Sequence, residues 1–294
     1  MILVTGATGQ FGSKAIDHLL KKGHNSSEIS ALVRDVEKAK SLTEKGIEVR
    51  VGDYNDHGSL VSAFHGIDKL LLVSSNDRQG FENRASQHIN VINAAKEAQV
   101  KHIVYTSFVR KPHFEDSAIA AFQDSHVQTE DALKKSGINY TILQNGIYLE
   151  MIPVFAGDKV AETGNILFPA QAGKASFVLR EELAEAAAHV LLTKSHENKS
   201  YQLTNSKSVT FNEIAEAISK LLAKDVTYNS PSVDEFETLL RNAGVPDLYI
   251  GMFTMWGSAL AQGTMDVEDN TLQGFLGRKP TSMVQFINQV YGLA

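Results

Sequence analysis

The run ILVTGATGQFG at residues 2–12 constrains this chain more than any other stretch. Three apolar residues suited to a buried strand lead into Gly6, Gly9 and Gly12. SKAIDHLLKKG follows, with Ile16, Leu19 and Leu20 on one helical face and Gly23 as a stop. Between a strand and a helix, each of the three glycines has a physical purpose. The first permits a tight turn, the second lets backbone N–H groups approach a pyrophosphate, and the third lets the helix pack closely on the strand. The helix N-terminus adds unpaired N–H groups and a partial positive charge for an anion. A plain glycine-rich turn is the competing reading, and the rest of the chain separates the two.

The strand-and-helix rhythm continues. ISALVR, IEVRVGD, DKLLLVSS, KHIVYTS and NYTILQNG read as strands, and amphipathic runs lie between them, ending in RASQHINVINAAKEAQV and DSHVQTEDALKKSG. The strands are near-continuous apolar runs, as in parallel sheets buried on both faces. This predicts an α/β fold, a Rossmann-type doubly wound parallel sheet over residues 1–150. After Gly146 the rhythm breaks at Pro153, Pro169 and a scatter of glycines. Helices are predicted at REELAEAAAHVLL and at TFNEIAEAISKLLAK, the latter opened by a Thr210–Glu213 capping box, with a strand-like SYQLTN between them. Residues 151–294 are therefore expected to form a smaller, mostly helical C-terminal lobe, with parts of 176–205 packing back on the sheet.

The second strand ends in ALVRD. NAD binders usually carry an acidic residue about 20 residues past the glycines, bonding the ribose 2′-hydroxyl. Here Arg34 directly follows the apolar run. A guanidinium suits a 2′-phosphate through charge-assisted, bidentate bonds, so NADPH is preferred over NADH. Asp35 is the competing ribose ligand, although its better reading is the N-cap of VEKAKSL.

Composition narrows the remaining classes. The chain has no cysteine, which excludes disulfides and thiolate chemistry and suits a reducing cytoplasm. A net charge of −6 and no long basic run give no reason to expect nucleic acid. No apolar run is long enough for a membrane span, and the start lacks the basic n-region of a signal peptide. The ten histidines form no metal-binding pattern, so no metal is expected. A hydrolase is not supported either, because G-x-S-x-G does not occur.

The segments VTGATGQFG, ALVRD, VRVGDYND, KLLLVSS, NVINAAKEAQVKHIVYTS, SGINYTILQNGIY and ASFVLREELAEAAA together resemble the NmrA-like branch of the atypical short-chain dehydrogenase/reductases. Within it they resemble most the bacterial NADPH-dependent quinone oxidoreductases, with triphenylmethane reductase a near relative. The resemblance runs over nearly the whole chain. It implies that Gly6, Thr8, Gly9, Gln10 and Phe11 wrap the pyrophosphate, that Gly12 completes the loop, and that Arg34 takes the 2′-phosphate. It further implies Asp53 near adenine, and Ser74, Ser75 and Asn76 beside the ribose and nicotinamide. Thr106 and Ser107 end the fifth strand, and Gln144, Asn145, Gly146, Ile147 and Tyr148 close the nicotinamide side. Relatives often have arginine where this chain has Gln144.

Ordinary short-chain dehydrogenases use Tyr-x-x-x-Lys, in which lysine lowers the pKa of a proton-donating tyrosine. None of the eight tyrosines here has lysine four residues on, and the corresponding helix reads SHVQTED. A quinone does not need that pair, because its reduced form is resonance-stabilised and the protein has mainly to position the reactants. His126 is the candidate acid, against a helix-face histidine bonded to backbone or water. Tyr148 could flank the ring, against a core aromatic. Phe155, Phe168, Tyr249, Phe253 and Trp256 are candidate linings of a slot for a small aromatic or quinone-like substrate, or core residues. The expected function is hydride transfer from NADPH to a quinone or similar electron-poor acceptor. The alternative is a non-catalytic, NADP(H)-binding redox sensor of the NmrA type. The sequence leaves a homodimer open.

Overall fold

The computed structural model describes residues 1–75 and 81–292. The elements run β1 (Ile2–Val4), α1 (Gln10–Lys21), β2 (Ile29–Val33), α2 (Lys40–Glu44), β3 (Glu48–Val51), α3 (His57–Phe64), β4 (Lys69–Leu72), α4 (Phe81–Glu97), β5 (His102–Phe108), α5 (Ala120–Ser136) and β6 (Asn139–Asn145). They continue with α6 (Met151–Ala156), α7 (Val160–Thr163), β7 (Asn165–Leu167), β8 (Lys174–Ala175), α8 (Arg180–Leu192), β9 (Lys199–Leu203), β10 (Val209–Thr210), α9 (Phe211–Leu222) and β11 (Thr227–Asn229). The chain closes with α10 (Val233–Asn242), α11 (Asp247–Ala261), α12 (Thr271–Leu276) and α13 (Met283–Tyr291).

Seven strands form one sheet in the order β3-β2-β1-β4-β5-β6-β9, with every neighbouring pair parallel. The strand SYQL, beyond the six-fold rhythm, joins it as β9 beside β6, with Asn145 opposite Leu203. Leu3, Leu70, Leu72, Ile103 and Ile142 bury one face against α3, α4 and α5, through Leu60, Phe64, Val91, Ile92 and Leu133. On the other side α8 packs on β4 and β5 and lies along α1. Lys14 and His18 face Glu181, and Lys22 faces Glu185, across that helix pair.

The order reverses between β1 and β4, and Thr5 closes that seam. Its N–H donates to Leu71 O at 3.0 Å, and its Oγ1 accepts from Val73 N at 2.9 Å. The buried hydroxyl of Tyr54 reaches both Thr5 Oγ1 and Val73 O. In open parallel sheets, ligands bind at the carboxyl ends of the strands at such a reversal.

The chain divides into two compact units. The first comprises Met1–Phe108, Ala121–Asn145 and Arg180–Leu203, and the second comprises Val109–Ala120, Gly146–Leu179 and Thr204–Ala294. In the second, the capping box of α9 is complete: Thr210 Oγ1 accepts from Glu213 N and Glu213 Oε2 accepts from Thr210 N. Phe155 and Phe168 stack at 4.6 Å between centroids, and Phe211 and Phe236 close around Phe168. All four are buried, so Phe155 and Phe168 are core residues of this unit rather than linings of a substrate slot. Tyr249, Phe253 and Trp256 lie at helical steps along α11 and keep partial exposure.

Phe168 is 0% exposed and touches three other rings. Phe168→Ala should therefore lower the unfolding free energy by about 3–5 kcal/mol. A urea titration with an unchanged midpoint would show that this ring is not part of the core.

Candidate functional site

The glycine loop is shaped by close approach. Gly6 has φ +56°, and a β-carbon on Gly12 would stand 2.4 Å from Gly6 O and 3.0 Å from Ala7 Cα. Any side chain at 12 would push α1 off the end of β1. Gly9 caps α1 without a side chain, and Gly6, Thr8, Gly9 and Gln10 are exposed while Phe11 is buried. The first turn of α1 thus presents backbone N–H groups that no side chain occupies, as an anion site requires. Gln10 Oε1 accepts from Arg180 at the start of α8.

At the end of β2, Arg34 is exposed and has no hydrogen-bond or ion-pair partner among the described residues. Asp35 Oδ1 accepts from Glu37 N at 3.0 Å, capping a short 3₁₀ turn, Val36–Ala39. That agrees with the capping reading of Asp35 and leaves the guanidinium as the available group. Asp53 caps its own turn through Asn55 and lies just past β3.

Past β4, Ser74 N donates to Thr106 Oγ1 at 2.8 Å and Ser75 N donates to His88 Nε2 at 2.8 Å. Asn76, a predicted site residue, lies outside the described residues. His88, on α4, is fully buried. Because its Nε2 accepts from Ser75, its proton sits on Nδ1, 2.9 Å from Thr129 Oγ1, which itself donates to Ser125 O. The Tyr105 hydroxyl lies 2.6 Å from His126 Nδ1 and 3.3 Å from His88 Nδ1. The shorter of the two contacts joins the Tyr105 hydroxyl to His126. His126 is 3% exposed, between Phe108 and Phe122. Burial pushes the Tyr105 hydroxyl pKa well up and holds the His88 imidazole down at about 3. The Arg84 charge lowers both.

The ends of β5 and β6 carry a second polar group. Ser107 Oγ donates to Glu130 Oε1 at 2.6 Å, and Gln144 Nε2 donates to the same oxygen at 3.2 Å. Asn145 follows; it is 2% exposed, yet neither atom of its amide has a hydrogen-bond partner. Leaving such groups unpaired costs about 1–3 kcal/mol each, which a ligand amide could recover. The glycine cradle, the unpartnered guanidinium and this amide all fit a nicotinamide dinucleotide phosphate. Gly146, Ile147 and Tyr148 open the second unit, where Tyr148 bridges Val178 and is half-buried.

Sequence reasoning passed over His88, Tyr105 and Glu130. The first two meet His126 from three different elements, so no spacing announces them. Glu130 lies four residues after His126, the very spacing of the Tyr-x-x-x-Lys pair, and a search at that spacing for other ionisable residues would find it. Among the described residues no cluster of three or more metal-ligating side chains occurs, and no helix is long and apolar enough to cross a membrane.

Three comparisons bear on the site. A model of the NmrA-like family matches residues 1–277. Quinone oxidoreductase 2 of Escherichia coli (strain K12) is 36% identical over 293 residues, spanning 100% of this chain and 99% of that protein. Two solved structures align over nearly their full length. The Citrobacter sp. triphenylmethane reductase complexed with NADP(H) has 38% identity and a TM-score of 0.90, covering 98% of this chain and 99% of that one. The NADPH-dependent quinone oxidoreductase of Escherichia coli complexed with NADPH has 37% identity and a TM-score of 0.91, covering 99% and 100%.

The polar floor of the site makes stability pH-dependent. His88 in the folded protein holds its pKa near 3, below the ordinary 6.5, so the unfolded chain binds more protons between those values. Stability from this group is complete above about pH 6.5 and is lost as pH falls toward 3. His88→Gln should flatten the fall by up to about 1.4 kcal/mol per pH unit in that window. Urea titrations from pH 7 to 4 would measure it, and identical slopes in both proteins would show that His88 does not titrate on unfolding.

Proposed function

The chain belongs to the NmrA-like family, and from that premise we propose that it is an NADPH-dependent oxidoreductase that delivers a hydride to a quinone or similar electron-poor aromatic acceptor. The observation that carries this reading is the pairing of the glycine cradle with Arg34, an exposed guanidinium with no hydrogen-bond or ion-pair partner among the described residues, at the end of β2. Full-length similarity to reductases solved with NADPH or NADP(H) supports it.

NADPH supplies the hydride when bound. The chain's own residues bind and orient. Backbone N–H groups of Thr8, Gln10 and Phe11 at the first turn of α1 hold the pyrophosphate in the loop that Gly6 and Gly9 shape, where Gly9 N–H itself donates to Gly6 O at 2.9 Å. Arg34 holds the 2′-phosphate, and Asp53 lies by the adenine. Ser74, Ser75, Thr106 and Ser107 border the ribose and nicotinamide. Gln144, Asn145, Gly146, Ile147 and Tyr148 flank the ring, with the Asn145 N–H₂ as a donor for the carbonyl of its substituent. Tyr249, Phe253 and Trp256 on α11 suit a flat aromatic acceptor. His126 is hydrogen-bonded to Tyr105, and the reduced acceptor can also be protonated by water, so orientation carries most of the rate.

Two measurements test this. Purified protein should oxidise NADPH when a simple quinone is added; binding without turnover across a panel of quinones would favour a redox sensor instead. Arg34→Ala should weaken NADPH about tenfold or more while leaving NADH nearly unchanged, because only NADPH carries the 2′-phosphate. Equal losses would remove Arg34 from the phosphate site.

Proton delivery is tested separately. His126→Ala and Tyr148→Phe should each lower kcat by less than the roughly 10²–10⁴-fold that a general acid contributes. A thousandfold loss in His126→Ala, with disappearance of a break in the pH profile, would establish an acid.

A further inference from the structure

Glu130 is 1% exposed on α5, and nothing in the hydride transfer proposed above uses it. Burying a carboxylate is costly unless it is paired and hydrogen-bonded. Its Oε1 takes the Ser107 hydroxyl at 2.6 Å and the Gln144 amide nitrogen at 3.2 Å, and Lys134 Nζ stands 3.9 Å from its Oε2. Ser107 and Gln144 are register partners on β5 and β6, so both side chains lie on one face of the sheet at its carboxyl edge.

The hydrogen-bond inventory then fixes a direction. The Glu130 oxygen that meets Gln144 already accepts the Ser107 hydroxyl, and a side-chain amide that meets such an acceptor turns its N–H₂ inward. Gln144 is half-buried, so what it presents outward is Oε1, which has no hydrogen-bond donor among the described residues. Ser107 spends its one proton on Glu130 and keeps only lone pairs. With a neutral amide at position 130, either orientation of Gln144 would be satisfied.

We infer that Glu130 is a positioning residue that fixes the polarity of Gln144, so that the end of β6 is an acceptor site selecting a primary carboxamide, the N–H₂ of nicotinamide, over a substituent without N–H. The inference rests on the NADPH reading above. It assigns α5 a part in choosing the cofactor's reactive end, separate from the choice of 2′-phosphate by Arg34.

The test compares dissociation constants, by calorimetry, of NADP⁺ and its 3-acetylpyridine analogue, in which a methyl ketone replaces the carboxamide. The wild type should favour NADP⁺ by about three- to tenfold, the worth of one hydrogen bond. Glu130→Gln, nearly isosteric, should bring the ratio close to one while keeping the preference for NADP⁺ over NAD⁺, which general loosening of the site would not spare. Gln144→Met removes the acceptor at a half-buried position and should collapse the ratio in the same way, whether or not the Glu130 variant folds. Equal affinity of the wild type for NADP⁺ and the analogue, or a ratio retained in Gln144→Met, overturns the acceptor site. A ratio retained in Glu130→Gln overturns the role of Glu130. Absence of any NADP⁺ binding to the wild type overturns the nucleotide reading, and this inference with it.

Discussion

The carboxyl edge of the sheet is organised around one close approach, that of the first turn of α1 to the loop after β1. No β-carbon fits at Gly12 against Gly6 O, and Gly6 itself turns at positive φ. Those two positions bring the helix axis down onto the end of β1, and the axis carries the partial charge that an anion needs. Next to it the strand order reverses between β1 and β4, the place where open parallel sheets form a ligand crevice, and Thr5 and Tyr54 tie the two strand ends together. The same constraint reaches α8, which can lie along α1, with Arg180 at Gln10, because α1 sits this low on the sheet.

Beneath that crevice the protein buries two imidazoles, a phenol and a carboxylate, a cost it offsets by satisfying them in order. One donor–acceptor sequence runs from Ser75 N through His88 to Thr129 and Ser125 O, and the Tyr105 hydroxyl joins it to His126. The Ser75 N–H and the Thr129 hydroxyl hold His88 as a single tautomer. Ser74 and Ser75 are thereby positioned by their backbone N–H groups, which donate to Thr106 on β5 and His88 on α4.

The parts of this arrangement that sequence reveals are those whose physics is local. A strand, its following helix and the glycines between them are neighbours in the chain, so the alternation, Arg34 after β2 and the capping box at Thr210 were all legible. The capping of Asp35 was legible too, because an Asx side chain can reach the N–H two residues on. What depends on distant segments was not. That residues 109–120 group with the second unit follows from tertiary packing that no period encodes. The aromatic residues divided for the same reason: Phe155 and Phe168 are core because Phe211 and Phe236 close over them from far along the chain.

The helix α5 shows how the site differs in kind from the dehydrogenases it resembles in outline. Where the usual pair sets a tyrosine beside a lysine, this chain sets His126 and Glu130 at the same interval. A cation beside a phenol makes it a better acid. Here Ser107, one of two hydroxyl residues at the end of β5, is turned inward and donates its hydrogen bond to the buried Glu130 side chain. On the function proposed above, such a helix holds acceptors and donors in fixed orientation rather than pushing a proton. That matches a substrate whose reduced form carries its charge on a conjugated ring, where geometry at the moment of hydride transfer matters more than a proton delivered with it.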